Sequence, residues 1–412
     1  MLTGDVVSAK AENCCVRQLI LTGVLVTALG GYMVTSGLAQ GMKIPGETAT
    51  QSNIVKPAPL EATAERIAAL RIPPGLKLEK FADGLKSPRV IVVGAAGSIY
   101  VSSRDQGTIS LLQVRNGKVD SARTVLTKPN VHGMAIKDGR LFYVTIREIF
   151  SSSINPDGSL GAEARVTGDL PDAGQHPNRT IAFGPDGLLY ASVGSTCNDC
   201  EENNPESATL VRMKVDGTGR EVVASGLRNT IGFAWQPGTD ALYGLDNGVD
   251  TFGDDEQPEE LNRIDPGKKY GWPYILGAGM KHPLREPKSG TLDDWDKSSV
   301  RPVLTYTAHA ASMQLLFADR TSLPVEYRGD AFATMHGSWN RSPPSGYEVV
   351  RIRFENGQPR SIEPFVSGFL LKGSDGKWGR FARPFGLAVA ADGSLLLGDE
   401  QNGILYRISK AE

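Results

Sequence analysis

A short phrase recurs along the chain, a turn ending in Gly or Asp followed by alternating apolar residues. It reads GSIYV from Gly97, GRLFYV from Gly139, GLLYAS from Gly187, DALYGL from Asp240, GDAFATM from Gly329 and GSLLLGD from Gly393. Most copies are followed by a second strand-like stretch, as in TISLLQV from Thr108, TLVRMKV from Thr209, YEVVRIRF from Tyr347 and GILYRIS from Gly403. Period-two alternation on both sides of a turn makes a hairpin with one buried face. Units of this kind at unequal spacing suit radial sheets better than a stacked helical solenoid. The expected fold is therefore all-β, a six-bladed β-propeller with four-stranded antiparallel blades, over residues 71–412. The 47 glycines and 25 prolines among 412 residues favour many short strands joined by turns over long helices. The wide gap between Asp240 and Gly329 holds a polar stretch, Lys281 to Arg301, expected as a surface loop.

The amino terminus has a different character. Lys10 and Arg17 precede an apolar run from Leu19 to Val34, and Ser36, Gly37 and Ala39 follow at the spacing of a signal-peptidase site. Residues 1–39 are thus expected to be a signal peptide cut after Ala39, which places the mature chain in the periplasm. An uncleaved membrane anchor is the alternative, although the run is short of the roughly 20 residues that span a bilayer. Residues 40–70 form a lead-in, polar and Pro-bearing to Pro59 and expected to be flexible, with a short helix in EATAERIAAL from Glu61 to Leu70.

Cys14 and Cys15 leave with the leader. That isolates Cys197 and Cys200, for which an oxidising compartment predicts a local disulfide. Zinc would need four ligands, and no His follows the CxxC to attach haem. A net charge of −2 with both signs interspersed excludes a nucleic-acid footprint.

Polar residues concentrate just before apolar strands, where the loops of several sheets converge at one mouth. His176, in QHPNR before TIAFGPDG, has the chemistry of a general base near neutral pH. Arg228 and Asn229, in SGLRNTIGFAW, offer a planar fork of donors and an amide. The loop DNGVDTFGDDEQPEELNRI, from Asp246 to Ile264, is either a solvated acidic loop or a site for a hard cation such as calcium; its spacing is not that of an EF-hand. His336, Trp339, Asn340 and Arg341 in HGSWNR, then Arg380 and Arg383 in WGRFARPFG, add further polar and cationic groups. Cations drawn from distant sheets repel one another unless they surround an anion.

In their order these motifs resemble the pyrroloquinoline quinone-dependent glucose and sorbosone dehydrogenases, the soluble aldose dehydrogenases. The similarity runs from about Leu76 to Ser409 and rests on HPNRTIAFGPDG, SGLRNTIGFAW, DNGVDTFGDDEQPEELNRI with YGWPY, HGSWNR, and RPFGLAVAADG with GDEQNGILYRI. The sorbosone dehydrogenase-like branch is the nearest, through STCNDC and HGSWNR.

The resemblance implies pyrroloquinoline quinone (PQQ) and calcium as cofactors and a sugar or hydrated aldehyde as substrate, oxidised to a lactone or acid. It makes His176 the base that takes the hydroxyl proton. Arg228 and Asn229 become cofactor-binding groups, with Arg228 also stabilising the developing oxyanion. Gly248 and Val249 supply calcium-binding carbonyls, Arg380 and Arg383 pair with cofactor carboxylates, and His132, in NVHGMA, and His336 are further cofactor contacts. Electrons would pass to a separate acceptor, a cytochrome or the quinone pool. Two departures stand out. Ser195 occupies about the place where the glucose enzymes carry an acidic residue, leaving the orientation of His176 to another group, with Asp199 the candidate. His336 stands where a lysine is expected. Two other functions suit the same fold, a calcium-dependent lactonase and a non-catalytic periplasmic binding propeller.

Overall fold

The computed structural model describes residues 52–172 and 174–411, so the expected signal peptide, Cys14, Cys15 and the first part of the lead-in lie outside the described residues. No helix among the described residues is long and apolar enough to cross a membrane.

Six four-stranded antiparallel sheets follow one another. The first comprises Ile91–Val93, Ser98–Ser103, Thr108–Arg115 and Lys118–Thr127, and the second Met134–Lys137, Arg140–Val144, Ile149–Ile154 and Leu160–Thr167. The third contains Ile181–Phe183, Leu189–Val193, Thr209–Met213 and Glu221–Ser225, and the fourth Thr230–Trp235, Leu242–Asp246, Glu259–Arg263 and Leu304–Tyr306. The fifth is Ser312–Phe317, Ala331–Met335, Glu348–Glu355 and Gln358–Val366. Pro384–Val389, Leu395–Asp399 and Ile404–Lys410 make the sixth, whose outer strand is Leu76–Ala82 from the other end of the chain, paired in register from Leu76 opposite Lys410.

Every copy of the recurring phrase forms the second strand of a sheet, and these strands are buried along their length. Gly187 shows why the phrase opens on glycine: its φ is 78°, a left-handed turn conformation that a side chain would strain. The first strands of successive sheets pack side by side, and that of the sixth returns to that of the first; between the third and fourth the contact runs from Leu189–Val193 to Thr230–Trp235. Glycine permits this close approach. A Cβ at Gly133 would lie 2.5 Å from the Arg179 carbonyl oxygen, at Gly232 2.2 Å from that of Met313, and at Gly386 2.2 Å from that of Arg89.

The meander divides the links between two ends. First-to-second and third-to-fourth turns lie at one end; second-to-third links and the entries to each new sheet lie at the other. His132, His176, Arg228, Asn229, Gly248, Val249, His336 and Arg383 all belong to links of the second kind.

Three expectations need correction. Residues 52–60 are pinned rather than flexible. Ser52 Oγ donates to the Asp250 carbonyl, Asn53 donates through its backbone and side chain to Asp254, Val55 N donates to the Trp339 carbonyl, and Ala58–Pro59 pairs with Gly379–Arg380. The helix is shorter than EATAERIAAL, covering Ala64–Ala68 behind an N-cap at Thr63. The stretch Lys281 to Arg301 contains a helix, Leu292–Ser298, set by a capping box in which Thr291 and Asp294 satisfy each other's backbone N–H.

Candidate functional site

His176 enters ahead of the third sheet and is held by Ser195, at the end of that sheet's second strand. Its Nδ1 lies 2.8 Å from Ser195 Oγ and 3.0 Å from the Ser195 carbonyl oxygen. A carbonyl only accepts, and Ser195 Oγ spends its own proton on the Cys197 carbonyl at 2.8 Å, so Nδ1 carries the hydrogen. Nε2 is left with its lone pair, and no described hydrogen bond uses it. Burial and the nearby Arg228 push the imidazole down to about 3, so it stays neutral. Asp199 does not orient this ring. Its carboxylate instead receives His282 Nε2 at 3.0 Å and Arg285 at 3.2 Å. The expectation failed because the disulfide between Cys197 and Cys200 closes a turn that aims Asp199 toward a segment distant in sequence.

Asn229 lies across Gly194 from this histidine. The Cβ position at Gly194 is 2.8 Å from His176 Cβ and 3.0 Å from Asn229 Oδ1. Arg228 is 2% exposed and uses three of its five N–H donors: Nε donates to the Asn198 carbonyl at 2.9 Å, one terminal nitrogen to Asn198 Oδ1 at 2.8 Å and the other to the Asn247 carbonyl at 2.9 Å. Burial lowers its pKa, while Asp250 and Asp246 oppose that shift. Asp246 fixes the local backbone, accepting from the N–H of Arg228 and Asn229 and from the Thr230 hydroxyl. Burial raises its own pKa.

The loop after Asp246 is not simply solvated. Glu259 and Glu260 are buried at its far end. Burial drives Glu259 up to about 8, against hydrogen bonds from the Ala311 and Gly248 amides. Its Oε2 has no partner. Val249 N donates to Gln257 Oε1, and no described hydrogen bond ends on the carbonyl oxygens of Gly248 or Val249. Glu259 Oε2 and the two carbonyls that no described hydrogen bond uses are oxygen donors of the kind a hard divalent cation takes.

A second cluster surrounds Phe385. Arg383 donates to His336 Nδ1 at 2.7 Å, and His336 Nε2 donates to Glu400, which also receives Arg89. Both ring nitrogens of His336 are therefore engaged. Burial and Arg383 push this ring down to about 4. Burial resists ionisation of Glu400, yet His336, Arg89 and Arg383 hold its carboxyl far below the usual range. His132, fully buried, donates from Nδ1 to the Arg179 carbonyl at 2.8 Å and stands edge-on to Phe385 with ring centroids 5.5 Å apart. Its Nε2 is an unsatisfied acceptor, and the Nε–H groups of Arg89, Arg104 and Arg383 are unsatisfied donors. One carboxylate cannot satisfy so many guanidinium groups. Buried donors left over around an aromatic ring fit a planar polycarboxylate such as the quinone cofactor.

The two clusters are joined through the backbone. Arg179 accepts from His132 on its carbonyl and donates from its guanidinium to the His176 carbonyl; Glu259 accepts from Ala311 N, whose carbonyl receives His336 N. Arg380 gives a terminal nitrogen to the Pro57 carbonyl of the pinned lead-in, and its Nε–H is a further unsatisfied donor, near enough to Arg383 to lower that group's pKa. A cleft of about 850 Å³ lined by Tyr190, Arg212, Trp235 and Arg263 opens at the opposite end of the sheets and includes none of the site residues.

Sequence reasoning missed Arg89, Arg104, Glu400 and Asn198. Arg89 was detectable, since it stands two residues before a first strand, as Arg179 and Arg228 do.

The fold is that of PQQ-dependent sugar dehydrogenases. The holo PQQ domain of pyranose dehydrogenase from Coprinopsis cinerea aligns with a TM-score of 0.67 at 18% identity, covering 83% of this chain and 97% of that one. The calcium structure of a Trichoderma reesei protein of carbohydrate-active enzyme family AA12 aligns at 0.70 with 19% identity, covering 83% and 97%. The chain belongs to the TrAA12-like family, which it matches over residues 70–272 and 277–411. An uncharacterized protein of Borreliella burgdorferi is 27% identical over 365 residues, 84% of this chain and 92% of its own length. The curated PQQ-dependent pyranose dehydrogenase of Coprinopsis cinerea is 23% identical over 400 residues, and the match spans only 54% of that longer enzyme.

Proposed function

We propose that this chain is a six-bladed β-propeller oxidoreductase that uses PQQ and calcium to oxidise the CH–OH of an aldose or of a hydrated, sorbosone-like aldehyde to a lactone or acid. The cyclic packing of the six sheets supports the blade count. When bound, the quinone supplies a two-electron acceptor for the hydride, polarised by the cation. His176 Nε2 takes the hydroxyl proton, and Ser195 keeps that nitrogen unprotonated and aimed by holding Nδ1. Asn229, across Gly194, and Arg228 present amide and guanidinium to the same region. Gly248 and Val249 would hold calcium through their carbonyls. Arg383, with Arg89 and Arg104, would hold the cofactor's carboxylates, and His132 Nε2 would accept from a cofactor donor. Export to the periplasm with delivery of electrons to a separate cytochrome or quinone pool completes the reading.

The observation that carries it is the fixed tautomer of His176: a neutral imidazole, donor side anchored and acceptor side free, beside a buried guanidinium. Apo-protein mixed with calcium and PQQ should reduce a redox dye when given aldoses or aldehydes, and should not do so without PQQ. Hydrolysis of lactones with calcium alone would replace this function with a hydrolytic one, and inactivity in both assays would leave a binding protein.

A further inference from the structure

The disulfide-closed turn Cys197–Cys200 touches both halves of the His176 and Arg228 site. Its Cys197 carbonyl accepts the Ser195 hydroxyl that in turn accepts from His176 Nδ1. Its Asn198 takes two donors of the Arg228 fork, Nε on its carbonyl and a terminal nitrogen on Oδ1. The same Oδ1 accepts from Asp250 N at 3.0 Å, and Asn198 Nδ2 donates to Thr251 Oγ1 at 3.3 Å. One amide side chain therefore ties the guanidinium to the loop that follows Gly248 and Val249. Asp199, next along, is anchored by His282 and Arg285, and Thr196 on the near side donates from its N–H and hydroxyl to Glu202. The turn is braced on both flanks.

We propose that Asn198 is a positioning residue: held in the cross-linked turn, it sets the plane of the Arg228 guanidinium and fixes the loop at Asp250 against it, while the same turn sets His176 through Ser195. Asn198 reaches neither substrate nor cofactor in this scheme. Arg228 alone could swing, because a long side chain aligned by backbone carbonyls at one end retains torsional freedom unless its fork is matched. Cross-linking the turn narrows the positions from which Asn198 can match it. This rests on the function proposed above only where cofactor binding is the readout.

The test compares Asn198→Ala with Asn198→Asp in the full chain. Aspartate retains the Oδ acceptor that meets Arg228 and Asp250 N, whereas alanine removes it. Two measurements are made on each variant: exchange of the Arg228 Nη2–H and Asp250 N–H by NMR, the two donors that Asn198 Oδ1 accepts, and titration of the apo-protein with PQQ in the presence of calcium. Alanine should speed both exchanges and weaken PQQ binding by about 10-fold, the loss of a hydrogen bond to a charged group, while aspartate stays within about 3-fold of the parent. A Cys197→Ser/Cys200→Ser variant should show the same exchange effect in weaker form. Exchange unchanged in Asn198→Ala, or aspartate as damaging as alanine, overturns the proposal. Failure of the parent chain to bind PQQ would count against the proposed function only, since the exchange measurement stands without any cofactor.

Discussion

His176 presents its Nδ1 to Ser195 twice over, at 2.8 Å to the hydroxyl and 3.0 Å to the carbonyl. A carboxylate at that place would stabilise the imidazolium; a serine cannot, so this histidine remains a neutral acceptor down to acidic pH. Ser195→Asp should therefore raise the His176 pKa by at least about one unit, because an opposite charge in contact favours the protonated ring. NMR titration of the ring would show the shift, and the acid limb of kcat/KM would move upward with it. An unchanged titration would contradict the geometry.

Three buried histidines make stability depend on pH in a stated direction. His176 and His132 are pushed down to about 3 and His336 to about 4. In the unfolded chain each protonates near 6.5. Between the two values the unfolded state binds the extra proton, so the contribution of each histidine is full above about pH 6.5 and falls as the pH drops, while buried Glu259 and Glu260, whose pKa burial raises, contribute in the opposite sense. The slope is about 1.4 kcal/mol per pH unit for each histidine at most. Glu400, depressed in the fold, adds a loss in the same direction below the ordinary carboxylate range. Denaturant unfolding of the parent and of His132→Asn at pH 7, 6 and 5 tests this: the parent should lose stability relative to the variant as the pH falls, by up to about 1.4 kcal/mol per pH unit.

Arg383 and Arg380 should behave differently despite their proximity in sequence. Arg383→Ala removes an unsatisfied donor of the Phe385 cluster and is expected to weaken PQQ binding by about 10-fold or more, with a smaller effect on sugar KM. Arg380→Ala frees the Pro57 carbonyl and should cost about 1–2 kcal/mol of stability, with a smaller loss of PQQ affinity than Arg383→Ala because one of its nitrogens is already taken. Isothermal titration and thermal unfolding of the two variants distinguish these outcomes.

Arg228→Lys keeps the charge and loses the fork that Asn198 and Asn247 receive. A fall in kcat/KM of about 100-fold is expected, since an ammonium cannot satisfy both partners. Activity within a few-fold of the parent would show that only charge matters there.

Gly386 allows the first strand of the sixth sheet to lie against the Arg89 carbonyl. Gly386→Ala should destabilise the protein by roughly 2–3 kcal/mol through overpacking, read as a lower unfolding midpoint.

The architecture was legible because the recurring phrase is local: turn glycine and alternation lie within a few residues, and all six copies became second strands. His176, Arg228 and Asn229 were legible because each lies just before a first strand. Their supports were not. The role of Ser195 depends on where its hydroxyl proton goes, and Asn198 meets Arg228 only through a cross-linked turn. Asp199 was misassigned because proximity in sequence suggested His176, while the fold supplied His282, 83 residues away. The contact of Arg380 with the Pro57 carbonyl was not legible either, because the lead-in was expected to be free.

The pairing of Leu76–Ala82 with Ile404–Lys410 has a consequence for the order of assembly. Leu76–Ala82 is made before every other strand of its sheet and waits, edge exposed, until Ile404–Lys410 has been made. Deleting Ile404–Lys410 should therefore leave Leu76–Ala82 and Leu395–Asp399 without their shared partner however well the other five sheets form.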